Sequence, residues 1–189
     1  MKLYSAQSSQ AIDQDAIQNL GIAGLLLMKR AGFFAFDVLQ KTWPESRHIQ
    51  IICGTGNNGG DGYIIAQYAH IAGVEVTVLQ VGDFNKIKGD ALLALNELKQ
   101  LGIQPVPYSK ETLQDADLIV DAIFGTGLNQ PITGKIAEII EQINQTKKPV
   151  LAVDIPSGLD ANTGAILGCA VQADITCTFI THKFGLYTF

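Results

Sequence analysis

The residues best suited to chemistry fall in three short stretches: CGTGNNGGDG (53–62), DAIFGTGLNQ (121–130) and DIPSGLD (154–160). The core of the first, GTGNNG, satisfies the G-x-G-x-x-G pattern whose backbone amides and following helix hold the pyrophosphate of a dinucleotide. It departs from a dehydrogenase fingerprint in two ways. Glycine continues through Gly60 and Gly62, where a dinucleotide helix should already be running. The acidic residue that would clamp a ribose at the end of the next strand is also missing, since Gln80 and Val81 stand there. Asp61 is a good N-cap, so the expected helix starts at Asp61 and turns the amides of 59–62 toward an anion. Asp121 and Asp154 each end an apolar run, where a carboxylate is buried and needs a partner. Each either caps its own loop or joins a site. Asn58, Asp121 and Ser157 together offer oxygen donors with a single formal charge. That set suits a hard cation rather than zinc, and a monovalent ion such as K⁺ fits the charge.

Those stretches need a frame that brings them together, and the pattern of the chain supplies one. From His48 onward apolar strand-like runs alternate with helical ones: strands at 48–53, 74–81, 103–106, 118–122, 150–154 and 175–180, and helices from Asp61 to Ala72, 90–101 and 132–145. Alternation at this spacing predicts a Rossmann-like doubly wound α/β fold. Its sheet is mainly parallel, with helices on both faces. In the 3-2-1-4-5 strand order the three polar loops converge at the switch point of the sheet, stronger evidence for a site than one glycine motif. Two helices precede the first strand. One, capped by Ser8 or Ser9 and stopped by Gly21, runs through Leu20 with Ile12, Ala16, Ile17 and Leu20 on its apolar face. The other, 24–41, is apolar nearly all round. Such a helix is either sandwiched between layers or buried in a subunit interface, and a homodimer is the expected assembly.

Composition limits the alternatives. The chain has 189 residues, 47% of them hydrophobic and 16% charged, which suits one ordinary α/β domain, 1–189. With a net charge of −5 and no basic run longer than two residues, a nucleic-acid partner is not expected. The apolar run Ile22–Met28 is far too short to cross a bilayer, and no secretory h-region follows Met1. Cys53, Cys169 and Cys177 form no C-x-x-C and suit a reducing compartment, so a cytoplasmic protein is expected.

The stretches AIDQDAIQNLGI (11–22), LMKRAG (27–32), GTGNNGGDGY (54–63), VDAIFGTGLNQPITG (120–134), AVDIPSGLDANTG (152–164) and ADITCTFITHKFGL (173–186) together resemble the NAD(P)HX epimerases, or YjeF amino-terminal domains, in the family's order and over almost the whole chain. The resemblance implies a nucleotide-cofactor repair enzyme that interconverts the R and S forms of NADHX and NADPHX at C6 of the hydrated nicotinamide ring. A separate or fused dehydratase then restores NAD(P)H. It further implies that Asn57, Asn58, Gly59, Gly60, Asp61, Gly125, Thr126, Gly127, Leu128, Asn129, Gln130, Pro131 and Asp154 contact the hydrate. Asn58, Asp121 and Ser157 would ligate one K⁺ per subunit. Two departures stand out. Lys29 replaces a usually acidic residue, and the chain stops at Phe189 where family domains continue, so a C-terminal truncation or a longer bifunctional protein is expected.

Epimerisation must break and remake a bond at a carbon bearing oxygen and nitrogen, through an iminium or by ring opening. Either route needs an acid/base near the C6 hydroxyl, and Asp154, ending its strand in the crevice, is the catalytic candidate. Lys183, just after the last strand, either holds a phosphate or is a solvated loop lysine. The alternatives from other classes are a non-catalytic nucleotide-binding or protein-interaction domain of the same fold, and an NAD(P) dehydrogenase.

Overall fold

The computed structural model describes residues 1–114 and 116–188. Its elements run β1 (Leu3–Tyr4), α1 (Ala6–Gln18), α2 (Gly24–Thr42), β2 (His48–Cys53), α3 (Asn57–Ile71), β3 (Glu75–Gln80), α4 (Gly89–Gln100), β4 (Val106–Pro107), β5 (Leu118–Ala122), α5 (Gly134–Gln145), β6 (Val150–Val153), β7 (Ile175–Cys177) and β8 (His182–Lys183). Six strands pair in the order β4-β3-β2-β5-β6-β7, every pair parallel. The order reverses direction between β2 and β5, whose register pairs Ile52 with Asp121 and Cys53 with Ala122. Loops after β2, β5 and β6 therefore open at one edge of the sheet, on the carboxyl ends of three adjacent strands.

The central strands are apolar throughout because helices cover both faces. Ile49, Ile51, Cys53, Leu118 and Val120 point into one core with Met28, Phe36 and Leu39 of α2, Ile64 and Ile65 of α3 and Leu95 and Leu98 of α4. Ile52, Ile119 and Leu79 point the other way, onto Ile139, Ile140 and Ile143 of α5. Lys29 of α2 pairs with Glu97 of α4 at 2.8 Å, so the basic departure at this position has an acidic partner on the neighbouring helix.

Several boundaries differ from the sequence reading. Helix α3 begins at Asn57, four residues before Asp61, because glycine lets its first turn lie against backbone. A Cβ on Gly59 would stand 2.1 Å from the Gly54 carbonyl oxygen. The cap of α1 is Ser5, whose side chain accepts from the Ser8 N–H; Ser8 and Ser9 lie inside the helix. The supposed apolar face of α1 is not in the core: Ile12, Ile17 and Leu20 are exposed, while Ala6 and Ser9 are its buried residues. The strand expected over 175–180 ends at Cys177, because the chain reverses through Ile180 at φ +65. Edge strand β4 is only two residues long and contains Pro107, which has no N–H to give a ladder. A second, two-stranded sheet, unforeseen, pairs Leu3 with His182 and Tyr4 with Lys183.

Candidate functional site

The carboxyl edge of the sheet opens into a cavity of about 570 Å³, within the range of small-molecule sites. Its walls come from the loops after β2 and β5, from Asp154 after β6, and from α1 and α2. Of the residues singled out in the sequence, Asn57, Asn58, Asp61, Gly125, Thr126, Gly127, Leu128, Asn129, Gln130, Asp154 and Lys183 line this cavity. Gly59 and Gly60 do not. Their missing side chains serve packing: a Cβ on Gly60 would come within 2.6 Å of the Met28 methyl and 3.0 Å of the Ala91 Cα. Pro131 also lies off the wall.

The early start of α3 changes which amides face a ligand. Gly60 N–H already donates to the Gly56 carbonyl at 3.2 Å, so the free amides of the first turn are those of 57–59 rather than 59–62. Gly56, the cap residue, has open space around it, and these free amides lie nearer the strand than the sequence predicted. Gln80, standing where a dehydrogenase carries its ribose-binding acid, is buried. It accepts from the Tyr63 hydroxyl and donates to Gly54 O at 3.2 Å and Val81 O at 3.0 Å. This position staples the glycine loop to β3 and has no free group for a ribose.

Asp154 adopts φ +66, an uncommon backbone state that aspartate tolerates and that recurs at functional sites. One carboxylate oxygen accepts from the Lys183 ammonium at 2.5 Å, the other from the Thr126 N–H at 3.4 Å. Lys183 is neither a solvated loop lysine nor free to hold a phosphate. It is 1% exposed, and its other two N–H bonds go to Thr178 Oγ1 at 2.9 Å and Phe179 O at 2.7 Å. The turn strained at Ile180 delivers these two acceptors, and the β1–β8 pairing fixes the lysine's own backbone.

Beneath the cavity, Asp121 is fully buried and held by three donors. Ser157 donates to it through Oγ at 2.6 Å and through its N–H at 2.8 Å, and the Ile123 N–H reaches it at 3.2 Å. Burial pushes its carboxyl up to about 6 against these donors. Asn58 is the opposite case. It is 8% exposed, and neither its amide oxygen nor its nitrogen has a partner. A Cβ on Gly125 would sit 3.2 Å from both Asn58 Oδ1 and Asp154 Oδ2, so these two groups approach one point on the wall. A buried unpaired amide costs about 1–3 kcal/mol unless something binds it. The Asn58 amide thus carries unmet hydrogen-bonding capacity on the cavity wall.

Two carboxylates missed in the sequence belong to the same cavity: Asp13 of α1 and Asp90 of α4. Ser9, Asp13 and Ile17, four residues apart on α1, all line it. That polar i, i+4 spacing was the available signal, masked by assigning the helix's apolar residues to the core.

The region 24–185 matches the family model described as the YjeF-related protein N-terminus. The chain belongs to this family. It is 41% identical to the NAD(P)H-hydrate epimerase of Limosilactobacillus fermentum, over 97% of this chain and 88% of that one. It is 39% identical to the bifunctional NAD(P)H-hydrate repair enzyme Nnr of Coxiella burnetii, over 98% of this chain and 38% of that protein. The chain therefore spans well under half of its bifunctional relatives. In fold it is similar to the yeast protein YNL200c, whose crystal structure superposes with a TM-score of 0.81 at 23% identity, over 98% of this chain and 83% of that one. Among the described residues of this YjeF-type domain, no helix is long and apolar enough to cross a membrane.

Proposed function

We propose that this domain epimerises the hydrated nicotinamide of NADHX and NADPHX at C6, supplying the S form to a dehydratase, separate or fused. The observation that carries this is a cavity in which the unpartnered Asn58 amide and the Asp154 carboxylate converge on one point, in a chain 41% identical to an NAD(P)H-hydrate epimerase. The saturated Gln80 disfavours a dehydrogenase, because no acid is left for the ribose. Asp154 is the acid/base nearest the converging point. Lys183 acts on it as a positioning residue. Adding the domain to acid-treated NADPH and separating the epimers chromatographically tests the reading. Equalisation of R and S without a change in nicotinamide redox state supports it. No exchange would favour a non-catalytic binding domain, and turnover only with an oxidisable co-substrate a dehydrogenase.

The oxygen donors of Asn58, Asp121 and Ser157 suit a monovalent cation such as K⁺, since the Asn58 amide oxygen has no partner among the described residues and the Asp121 carboxylate, with three donors, keeps a lone pair for an ion. Such an ion would supply fixed positive charge at the base of the cavity. Melting temperature should rise more with K⁺ than with Na⁺ in the wild type, and Asp121→Ala should abolish that difference. Equal K⁺ sensitivity in both proteins would place the ion elsewhere.

The assembly we propose is a homodimer through α2. Its buried face meets α3, yet Phe33 and Phe34 remain 54% and 50% exposed, with Leu26 one heptad before Phe33. Phe33→Glu should halve the mass seen by light scattering at micromolar concentration, and an unchanged mass would move the interface off this face. Three free cysteines, two of them buried, support a reducing, cytoplasmic setting.

A further inference from the structure

The cavity holds more carboxyls than one acid/base role needs, and they differ in surroundings. Asp154 has an ammonium at 2.5 Å. Asp61, on the second turn of α3, has no hydrogen bond or ion pair among the described residues, although it is half-buried on the same wall. The groups that face it are Asp154 after β6, Asp13 of α1, the Cys53 thiol of β2 and, more weakly, Lys183 of β8. Asp90 of α4 acts on it one step removed, through Asp13. Two carboxyls in one pocket, one paired with a cation and one crowded by like charges, divide naturally into a base and an acid.

We propose that Asp61 and Asp154 share a single proton, with Asp61 as the acid that releases the C6 hydroxyl, Asp154 as the base that accepts a proton from the returning water, and Asp13 as the residue that keeps the proton on Asp61. This rests on the epimerase reading of the site. Asp61 gives its proton to the C6 hydroxyl. The C6–O bond breaks and water leaves, while the ring-nitrogen lone pair forms the N1=C6 iminium. Water then adds to C6 from the other face, the N1=C6 pair returns to nitrogen, and Asp154 takes the proton released. The reverse reaction starts with the proton on Asp154. One proton thus moves from Asp61 to Asp154 per passage; a passage in the other direction, or exchange of the proton with solvent, returns it to Asp61, and no redox partner is needed. The ring is cationic in between, which a pocket lined by Asp13, Asp61, Asp90 and Asp154 favours. Burial first, then repulsion from Asp154 and Asp13, hold the Asp61 carboxyl well above its ordinary range, the direction an acid needs.

The test is the pH profile of R/S exchange, after subtracting the uncatalysed rate, in wild type, Asp61→Asn and Asp13→Asn. Asp61→Asn should lose ~10²–10⁴-fold in exchange, the usual worth of a positioned proton donor, while its affinity for the hydrate is kept. Asp13→Asn removes a repelling charge, so the high-pH limb, which reports loss of the shared proton, should move to lower pH; the position of the limb, not the height of the plateau, is the readout. A merely structural Asp13 would lower the rate at all pH values and leave the limb in place. Near-normal exchange by Asp61→Asn, or an unmoved limb in Asp13→Asn, overturns the proposal. Should Asp61→Asn fail to fold, as judged by circular dichroism, the Asp13→Asn limb decides. Absence of exchange in the wild type would instead refute the epimerase reading itself, so the two failures are distinguishable.

Discussion

Asp154→Asn should slow R-to-S exchange by ~10²–10⁴-fold, because the amide keeps the size and hydrogen-bonding reach of the carboxylate but cannot take a proton at neutral pH. A second effect accompanies the first. The Lys183 side chain is 2% exposed and would lose the one ion-pair partner it has among the described residues, and an uncompensated buried charge costs about 3–5 kcal/mol. The Asn variant should therefore melt at a clearly lower temperature as well as turn over slowly. The two effects separate in the double variant Asp154→Asn/Lys183→Met, which removes both charges. Melting temperature should recover in large part and exchange should not. Hydrate affinity, measured well below the melting transition, should stay within a few-fold of wild type in the single variant. Rapid exchange in a folded Asp154→Asn protein would move the chemistry to another group. Recovery of activity in the double variant would show that the single variant failed through stability alone.

Gly59→Ala should be among the most damaging small substitutions in the glycine loop. Its methyl would stand 2.1 Å from the Gly54 carbonyl oxygen, and both sides of that contact are backbone, one in a helix and one at the end of the central strand. No side-chain rotation relieves it. Overpacking of this kind costs about 1–3 kcal/mol, a fall of roughly 2–12 °C in melting temperature for a domain of this size. Gly60→Leu should likewise disturb the fold, through Met28 and Ala91, rather than weaken a ligand selectively. Gly56→Ala is the contrast, since its added carbon meets nothing within 4 Å and its φ of −95 suits any residue. It should fold normally and report on ligand binding alone. Equal melting temperatures for Gly59→Ala and Gly56→Ala would mean that the loop backbone yields more readily than this packing implies.

These two sets of substitutions also divide what was legible in the sequence from what was not. The sheet was legible: buried parallel strands are continuous apolar runs, and their alternation with helices leaves few topologies open. The convergence of the loops bearing Asn58, Asp121 and Asp154 followed from that strand order, since three adjacent carboxyl ends open at one edge. The family, too, was carried by the order and content of the motifs. The start of α3 was not legible, because Asp61 has the local chemistry of an N-cap, whereas the helix actually starts where Gly59 lets it lie on Gly54. The role of Lys183 was hidden for the same kind of reason. In sequence it is a lysine after a strand, and its partner Asp154 lies 29 residues earlier, brought to it by a strained turn and a two-residue strand pair. Asp13 was hidden most deeply, since α1 looked like a core-facing helix and instead turns its polar face to the cavity. Local propensity and pattern are written in neighbouring residues and can be read there. Charge pairing and close backbone approach depend on residues far apart in the chain, and only the folded arrangement brings them together.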